Sequence, residues 1–236
     1  HLTDISQIKR KQALERVFFH DILNSVDSIK GALEVIAQDS VQKEAEKEFV
    51  DLALQQSRSV IEDIQTHKLL SAAEAYELQV NPSLVNSLEF LKHACFICSP
   101  HPEGQDKTVS IAREAENLDF VTDDVLLGRV LGNMLKNALE ASSPGENVQI
   151  GCLARNSRAV FWVENAQVIP DEVQLQIFKR SFSTKGKGRG LGTHSIKLLA
   201  EEYLQGKVWF ISDHKRGTIF YVALPLTDSF NNFQTS

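Results

Sequence analysis

The sequence is poor in cysteine, has no proline before residue 82 and shows no excess of positive charge. It also lacks an unbroken apolar run of the ~20 residues that a membrane-spanning helix needs. Each absence excludes something. Three cysteines in 236 residues give no disulfide framework and suit a reducing compartment, so a cytoplasmic location is expected. A formal net charge of -6 argues against a nucleic-acid partner, which would call for a basic face. Without a long apolar run, no membrane contact is expected of these residues. There is no initiator Met and no secretory signal pattern at the start, and the chain opens on a polar helical pattern. It reads as an excised part of a longer protein, compatible with a membrane-anchored parent. Two cysteines, Cys95 and Cys98, stand between His93 and His101 at spacings that could hold zinc. Leu84, Val85, Leu88, Leu91, Ala94 and Cys95 instead continue one helical stripe, which favours cysteine as a small core residue.

The scarcity of breakers is most telling at the beginning. Up to about residue 75 there is no proline and one glycine, Gly31. Leu14, Phe18, Ile22, Ser25, Ile29, Ala32 and Ile36 recur at steps of three and four, the seam of a long amphipathic helix. A turn is expected at Asp39-Ser40, and a second helix from about Lys43 to Ala75. A single helical hairpin exposes much of its seam, whereas two hairpins paired as a four-helix bundle bury it. A homodimer is therefore expected. This hairpin domain is assigned to residues 1–77.

Asn81-Pro82 marks the boundary to a second domain, 78–228, with 229–236 as a tail. Asn81 as a cap and Pro82 at the first helical position predict a helix over Ser83–Phe96. Strands are expected near Thr108–Ile111 and Asp119–Val121. A strongly amphipathic helix is expected from Asp123-Asp124 to Ala141. Further strands follow over Val148–Leu153 and Ala159–Val163, then a helix from Gly192 to about Leu204. A last strand pair, Val208–Ser212 and Thr218–Leu224, turns at Gly217. The fold class is α+β: a helical hairpin followed by an α/β sandwich with one sheet covered by helices on one face.

Two segments carry chemistry. In Phe182-Ser183-Thr184-Lys185-Gly186-Lys187-Gly188-Arg189-Gly190-Leu191-Gly192-Thr193, glycines alternate with other residues directly before a helix. Glycine lets backbone amides approach a phosphate, and the helix N-terminus adds partial positive charge. Upstream, Asn133, Asn137 and Glu140 share one face of a helix, with Leu131, Leu135, Ala138 and Leu139 towards the other side. Oxygen-bearing side chains beside a phosphate loop can hold Mg²⁺.

These residues carry a resemblance. Asn133 to Ala141 resembles the N-box of sensor histidine kinases. Phe182-Ser183-Thr184-Lys185 is similar to their F-box, and Gly188-Arg189-Gly190-Leu191-Gly192 to their G2 box. Gly217-Thr218 with its following strand resembles the closing strand of the ATPase fold shared with Hsp90-type and gyrase-type enzymes. His20-Asp21-Ile22-Leu23-Asn24 resembles the H-box. The match runs through nearly the whole chain in the family's order. It implies an ATP-dependent autokinase that phosphorylates His20 and passes the phosphoryl group to an aspartate of a response regulator, with phosphatase activity toward that regulator as an added capacity. It implies ATP and Mg²⁺ as cofactors and a receiver domain as partner. By the same resemblance Asp21 is the base or holder of the imidazole, and Asn24 places a water for dephosphorylation. Asn137 coordinates Mg²⁺. Asn133, Lys136, Phe182, Thr184, Lys185, Gly188, Arg189, Gly190, Leu191, Gly192, Thr193 and Thr218 line the nucleotide site. His20 lies about 200° around the helix from Phe18 and so faces away from the apolar seam.

One motif departs. The family's G1 box carries Asp-x-Gly-x-Gly, whose aspartate accepts the adenine amine. Here the segment reads Val163-Glu164-Asn165-Ala166-Gln167, with neither aspartate nor glycine. Strand alternation puts Phe161, Val163 and Asn165 on one face, with Trp162 and Glu164 on the other. Asn165 is favoured as the adenine acceptor over Glu164. The altered box also supports an alternative, a nucleotide-poor scaffold that binds a regulator without autophosphorylation.

Overall fold

The computed structural model describes residues 2–37, 43–98, 106–179 and 192–227. Among these, 2–78 form one compact unit and the remainder a second.

The first unit is a hairpin of two helices, α1 (Leu2–Ile36) and α2 (Lys43–Glu74). Its buried side chains are mostly small: Ala32 on α1, and Ala53, Ala73 and Leu70 on α2. Small residues let the helices approach closely, but they leave larger apolar side chains outside. Phe19, Leu23, Val26 and Leu33 are exposed along α1, and Val50, Leu54, Ile61 and Ile64 along α2. Their steps of four, three and seven are those of a coiled-coil seam. Each helix thus carries two apolar stripes, and only one of them is covered within the hairpin.

The second unit begins with a departure from the sequence expectation. Ser83–Asn86 is a strand, β1, not the first turn of a helix. It pairs antiparallel with β3 (Asp119–Thr122), Val85 opposite Phe120. The helix α3 starts later and spans Ser87–Cys98. Asn86, not Asn81, caps it, its Oδ1 accepting from Glu89 N at 3.1 Å. Leu84 and Val85 fitted a helical stripe, yet they point to opposite sides: Leu84 is exposed while Val85 is buried. Strand pairing satisfies the backbone here and moves the cap five residues on.

The main sheet has strand order β2-β4-β5-β7-β6. Its strands are β2 (Thr108–Ile111), β4 (Asn147–Arg155), β5 (Arg158–Asn165), β6 (Lys207–Asp213) and β7 (Gly217–Pro225). Only β2 and β4 run parallel. Against one face packs α4 (Asp124–Ala141), which buries Leu126, Leu127, Val130, Leu131, Met134, Leu135, Ala138 and Leu139. Asp123 caps it, accepting from Leu126 N at 2.9 Å, and its other oxygen accepts from Asn81 N at 2.7 Å. Phe161 of β5 is fully buried against Phe120. On the opposite face Trp162 clusters with Ala112 and Ile219, flanked by Leu153 and Tyr221. A short helix α5 (Asp171–Gln174), which sequence periodicity did not suggest, lies in the long connection. After it α6 (Gly192–Leu198) continues as a π-helical turn over Leu199–Tyr203, closed by Leu204 N donating to Leu199 O.

Gly217 opens β7 with φ +75°, and a Cβ there would lie 2.2 Å from the carbonyl oxygen of Asn165. Both the left-handed backbone and the close approach require glycine. Gly217→Ala should therefore lower the unfolding free energy by about 3 kcal/mol, combining a strained φ with overpacking. A urea melt of the variant beside the parent checks this, and a shift under 1 kcal/mol would contradict the tight contact.

Candidate nucleotide site and phosphoacceptor helix

The half-buried polar stripe of α4 consists of Asn133, Lys136, Asn137 and Glu140. It exists because the helix commits its other face to the core, so spacings of three and four collect the polar side chains on one side. Gly192, the first residue of α6, comes down onto this stripe. A Cβ at Gly192 would sit 3.4 Å from Asn137 Oδ1. Asn133 Nδ2 approaches Ser195 Oγ at 3.4 Å. Thr193 Oγ1 donates to the carbonyl of Ile177, tying the first turn of α6 to the chain that precedes the glycine-rich segment. Asn137 Nδ2 is buried and has no hydrogen-bond partner among the described residues.

The second half of the site lies at the end of β5. Asn165 is 4% exposed, in phase with Phe161 and Val163, and stands opposite Thr218 in the sheet register. Its Nδ2 is also buried, without a partner among the described residues. Glu164 is on the other strand face. Burial raises its pKa, Glu114 adds to the rise and Arg216 opposes it. It therefore titrates near the Trp162 and Tyr221 side, away from α4.

Polar braces hold Asn165 in place. Thr218 Oγ1 donates to the carbonyl of Gln167 at 2.7 Å, and Ser212 Oγ lies 2.8 Å from the same hydroxyl. Ser212 Oγ in turn accepts from Ile169 N. The Gln167 side chain donates to both oxygens of Glu146. Glu146 has a lowered pKa, first through the bond from Ser143 N and then through Gln167. Thr218, expected to line the nucleotide site, thus spends its hydroxyl proton on fixing the loop after Asn165. Ser212, Ser195 and the Gln167–Glu146 pair carry no sequence signal of their own, since they matter only through pairings across distant strands and helices.

Of the other expected site residues, Phe182, Thr184, Lys185, Gly188, Arg189, Gly190 and Leu191 lie outside the described residues, as does the side chain of Asp21. The structure brings together Asn133, Asn137, Gly192 and Ser195, and separately Asn165 and Thr218 around one strand end.

These buried N–H donors call for a ligand rich in acceptor atoms, as an adenine nucleotide is. Two unsatisfied buried amides are costly alone, about 1–3 kcal/mol each, and both become satisfied if a polar ligand meets them. An amide oxygen at Asn137 suits the hard cation Mg²⁺.

On the hairpin, His20 is exposed. Its Nδ1 lies 3.1 Å from Asn24 Nδ2, one turn along α1. Nearby the Phe18 ring stacks on His67 of α2, centroids 4.0 Å apart. An open groove of about 570 Å³ runs here, lined by Phe18, Phe19, Ile22, Ile64, His67 and Lys68 among others.

Residues 122–228 match the family described as histidine kinase-, DNA gyrase B- and HSP90-like ATPase. The match covers the domain from the end of β3 onward and not the helical hairpin. Over most of its length the chain is similar to proteins named as kinases. It is 24% identical to the adaptive-response sensory kinase SasA of Prochlorococcus marinus over 96% of this chain, and it spans 60% of that relative's length. Histidine kinase AdeS of Acinetobacter baumannii superposes with a TM-score of 0.66 at 15% identity, over 89% of this chain and 98% of that one. Histidine kinase ThkA in complex with response regulator protein TrrA superposes with a TM-score of 0.63 at 18% identity, over 96% of this chain and 63% of that one. These superpositions establish the fold, a helical region followed by the mixed-sheet ATPase domain.

Proposed function

We propose that the chain is an ATP-dependent protein-histidine autokinase that relays phosphate from His20 to an aspartate of a response regulator. The observation that carries this reading is the pair of partnerless buried amides, Asn137 and Asn165, inside a domain of the ATPase family, in a chain that also displays an exposed histidine on a helical hairpin. The likeness to kinases named for this activity supports it, including one solved with its response regulator.

In this reading residues 1–77 dimerise and carry the phosphoacceptor, 78–228 bind ATP, and 229–236 form a tail. The uncovered heptad stripes of α1 and α2 supply the face for a second copy of the hairpin, giving a homodimeric four-helix bundle. The protein works in the cytoplasm. No helix among the described residues is long and apolar enough to cross a membrane.

Catalysis is mainly positioning and charge neutralisation. When bound, Mg²⁺ neutralises phosphate charge. Asn137 would hold the cation through Oδ1, and the amides at the start of α6 would meet the phosphates. Asn165 would fix the base. A ring nitrogen of His20 uses its lone pair to attack the γ-phosphorus, the bond to the bridging oxygen breaks, and ADP leaves. The phosphoryl group then passes to a regulator carboxylate, which regenerates the imidazole. Imidazole changes charge near neutrality, so a neutral nucleophile needs little activation. Incubation with γ-labelled ATP and Mg²⁺ tests the proposal: acid-labile, alkali-stable label on the chain supports it. No label and no nucleotide binding would leave the scaffold reading in its place.

Asn24 Nδ2 lies 3.1 Å from His20 Nδ1, and in this reading Asn24 would hold a water over a phosphorylated regulator. Asn24→Ala should prolong the lifetime of the regulator phosphate on the order of tenfold, since a positioned water is lost. Equal lifetimes with variant and parent would remove that role.

A further inference from the structure

We propose that Asn165 grips adenine at two atoms, accepting from the N6 amine through Oδ1 and donating to the N1 lone pair through Nδ2. This rests on the reading of the site as an adenine-nucleotide site.

The starting point is the buried Nδ2 that no group among the described residues accepts from. Asn165 is 4% exposed and packed in phase with the fully buried Phe161. An orphaned donor in such a place signals a missing acceptor. The acceptors nearby are already engaged with other donors. Gln167's carbonyl takes the Thr218 proton, and both Glu146 oxygens take the Gln167 amide. Asn165's own carbonyl is pressed against Gly217. The backbone on either side is therefore pinned, and the amide has little freedom to seek a partner within the protein.

The Watson–Crick edge of adenine offers the matching pattern, an amine donor beside a ring-nitrogen acceptor. A carboxamide presents an acceptor beside a donor at nearly the same separation, the complementarity that asparagine and glutamine use on the N6/N7 edge of adenine in DNA. A carboxylate accepts at both oxygens and has nothing to give N1. The asparagine at this position is thus a different reader of the base, one that senses N1 directly.

The first arm of the test keeps the protein unaltered and changes the base. ADP, 1-deazaadenosine 5′-diphosphate, which lacks the N1 acceptor, and purine riboside 5′-diphosphate, which lacks the amine, are titrated calorimetrically into the chain. Both analogues should bind about tenfold more weakly than ADP, because each leaves one buried half of the amide unpaired. In Asn165→Asp the amine-free analogue should still lose affinity, while the 1-deaza analogue should bind as well as ADP or better. If 1-deaza-ADP matches ADP on the parent protein, the bond to N1 does not exist and the two-atom grip is overturned, although the nucleotide site stands. If ADP itself fails to bind, the nucleotide-site reading and this inference fall together.

Discussion

Replacing His20 with glutamine abolishes incorporation of label from γ-labelled ATP, with a drop on the order of a thousandfold or more, because the nucleophile itself is removed. ADP binding is unchanged, since His20 belongs to the hairpin unit and Asn137 and Asn165 to the other. Stability moves little. His20 is exposed, and glutamine is a better helix former at such a site. The measurement is autophosphorylation of parent and variant under identical Mg·ATP, with acid and alkali treatment of the product. Label that persists in the variant would move the phosphoacceptor elsewhere, and His67, stacked on Phe18, would be the next residue to replace.

Asn137→Ala separates function from stability. Mg·ATP affinity falls on the order of a hundredfold, because the cation loses its protein oxygen. The unfolding midpoint does not fall. Alanine is favoured over asparagine inside a helix, and the change removes a buried donor that has no partner. A titration and a thermal melt on one preparation decide the matter. Unchanged affinity would sink the metal role. Lost affinity with a collapsed melt would show that Asn137 matters for folding instead, and the melt is there to expose that outcome.

Much of this architecture was legible because it depends on local periodicity. The proline-free opening announced a hairpin, and α4 could be read from its cap at Asp123 to its last apolar turn at Ala141. The phase of β5 was legible too, because a strand alternates strictly, and Val163 in the core dictates Asn165 beside it. The misread segment was Ser83–Asn86, where four residues are too few for period two to be told from period 3.6. Their state is set by pairing with Asp119–Thr122, more than thirty residues away. The braces around Asn165 were hidden for the same reason. Ser212 and Glu146 are ordinary surface residues until β7 and β4 bring them to Thr218 and Gln167. The bond from Thr218 to the Gln167 carbonyl was hidden in the same way, since a motif position does not say which bond a hydroxyl makes.

Asp123 does two jobs with one carboxylate. One oxygen caps α4 and the other receives the backbone N–H of Asn81. The side chain is 3% exposed, so neither bond is easily traded for water. Mechanically this is a rivet through two plates. Residue 81 lies just past the point where the chain leaves the hairpin, and α4 is the rod that bears Asn133 and Asn137. Tension applied to the chain at residue 81 therefore does not dissipate in a slack tether. It is shared between the bond to Asp123 at the cap of α4 and the pairing of β1 with β3 that begins at Ser83.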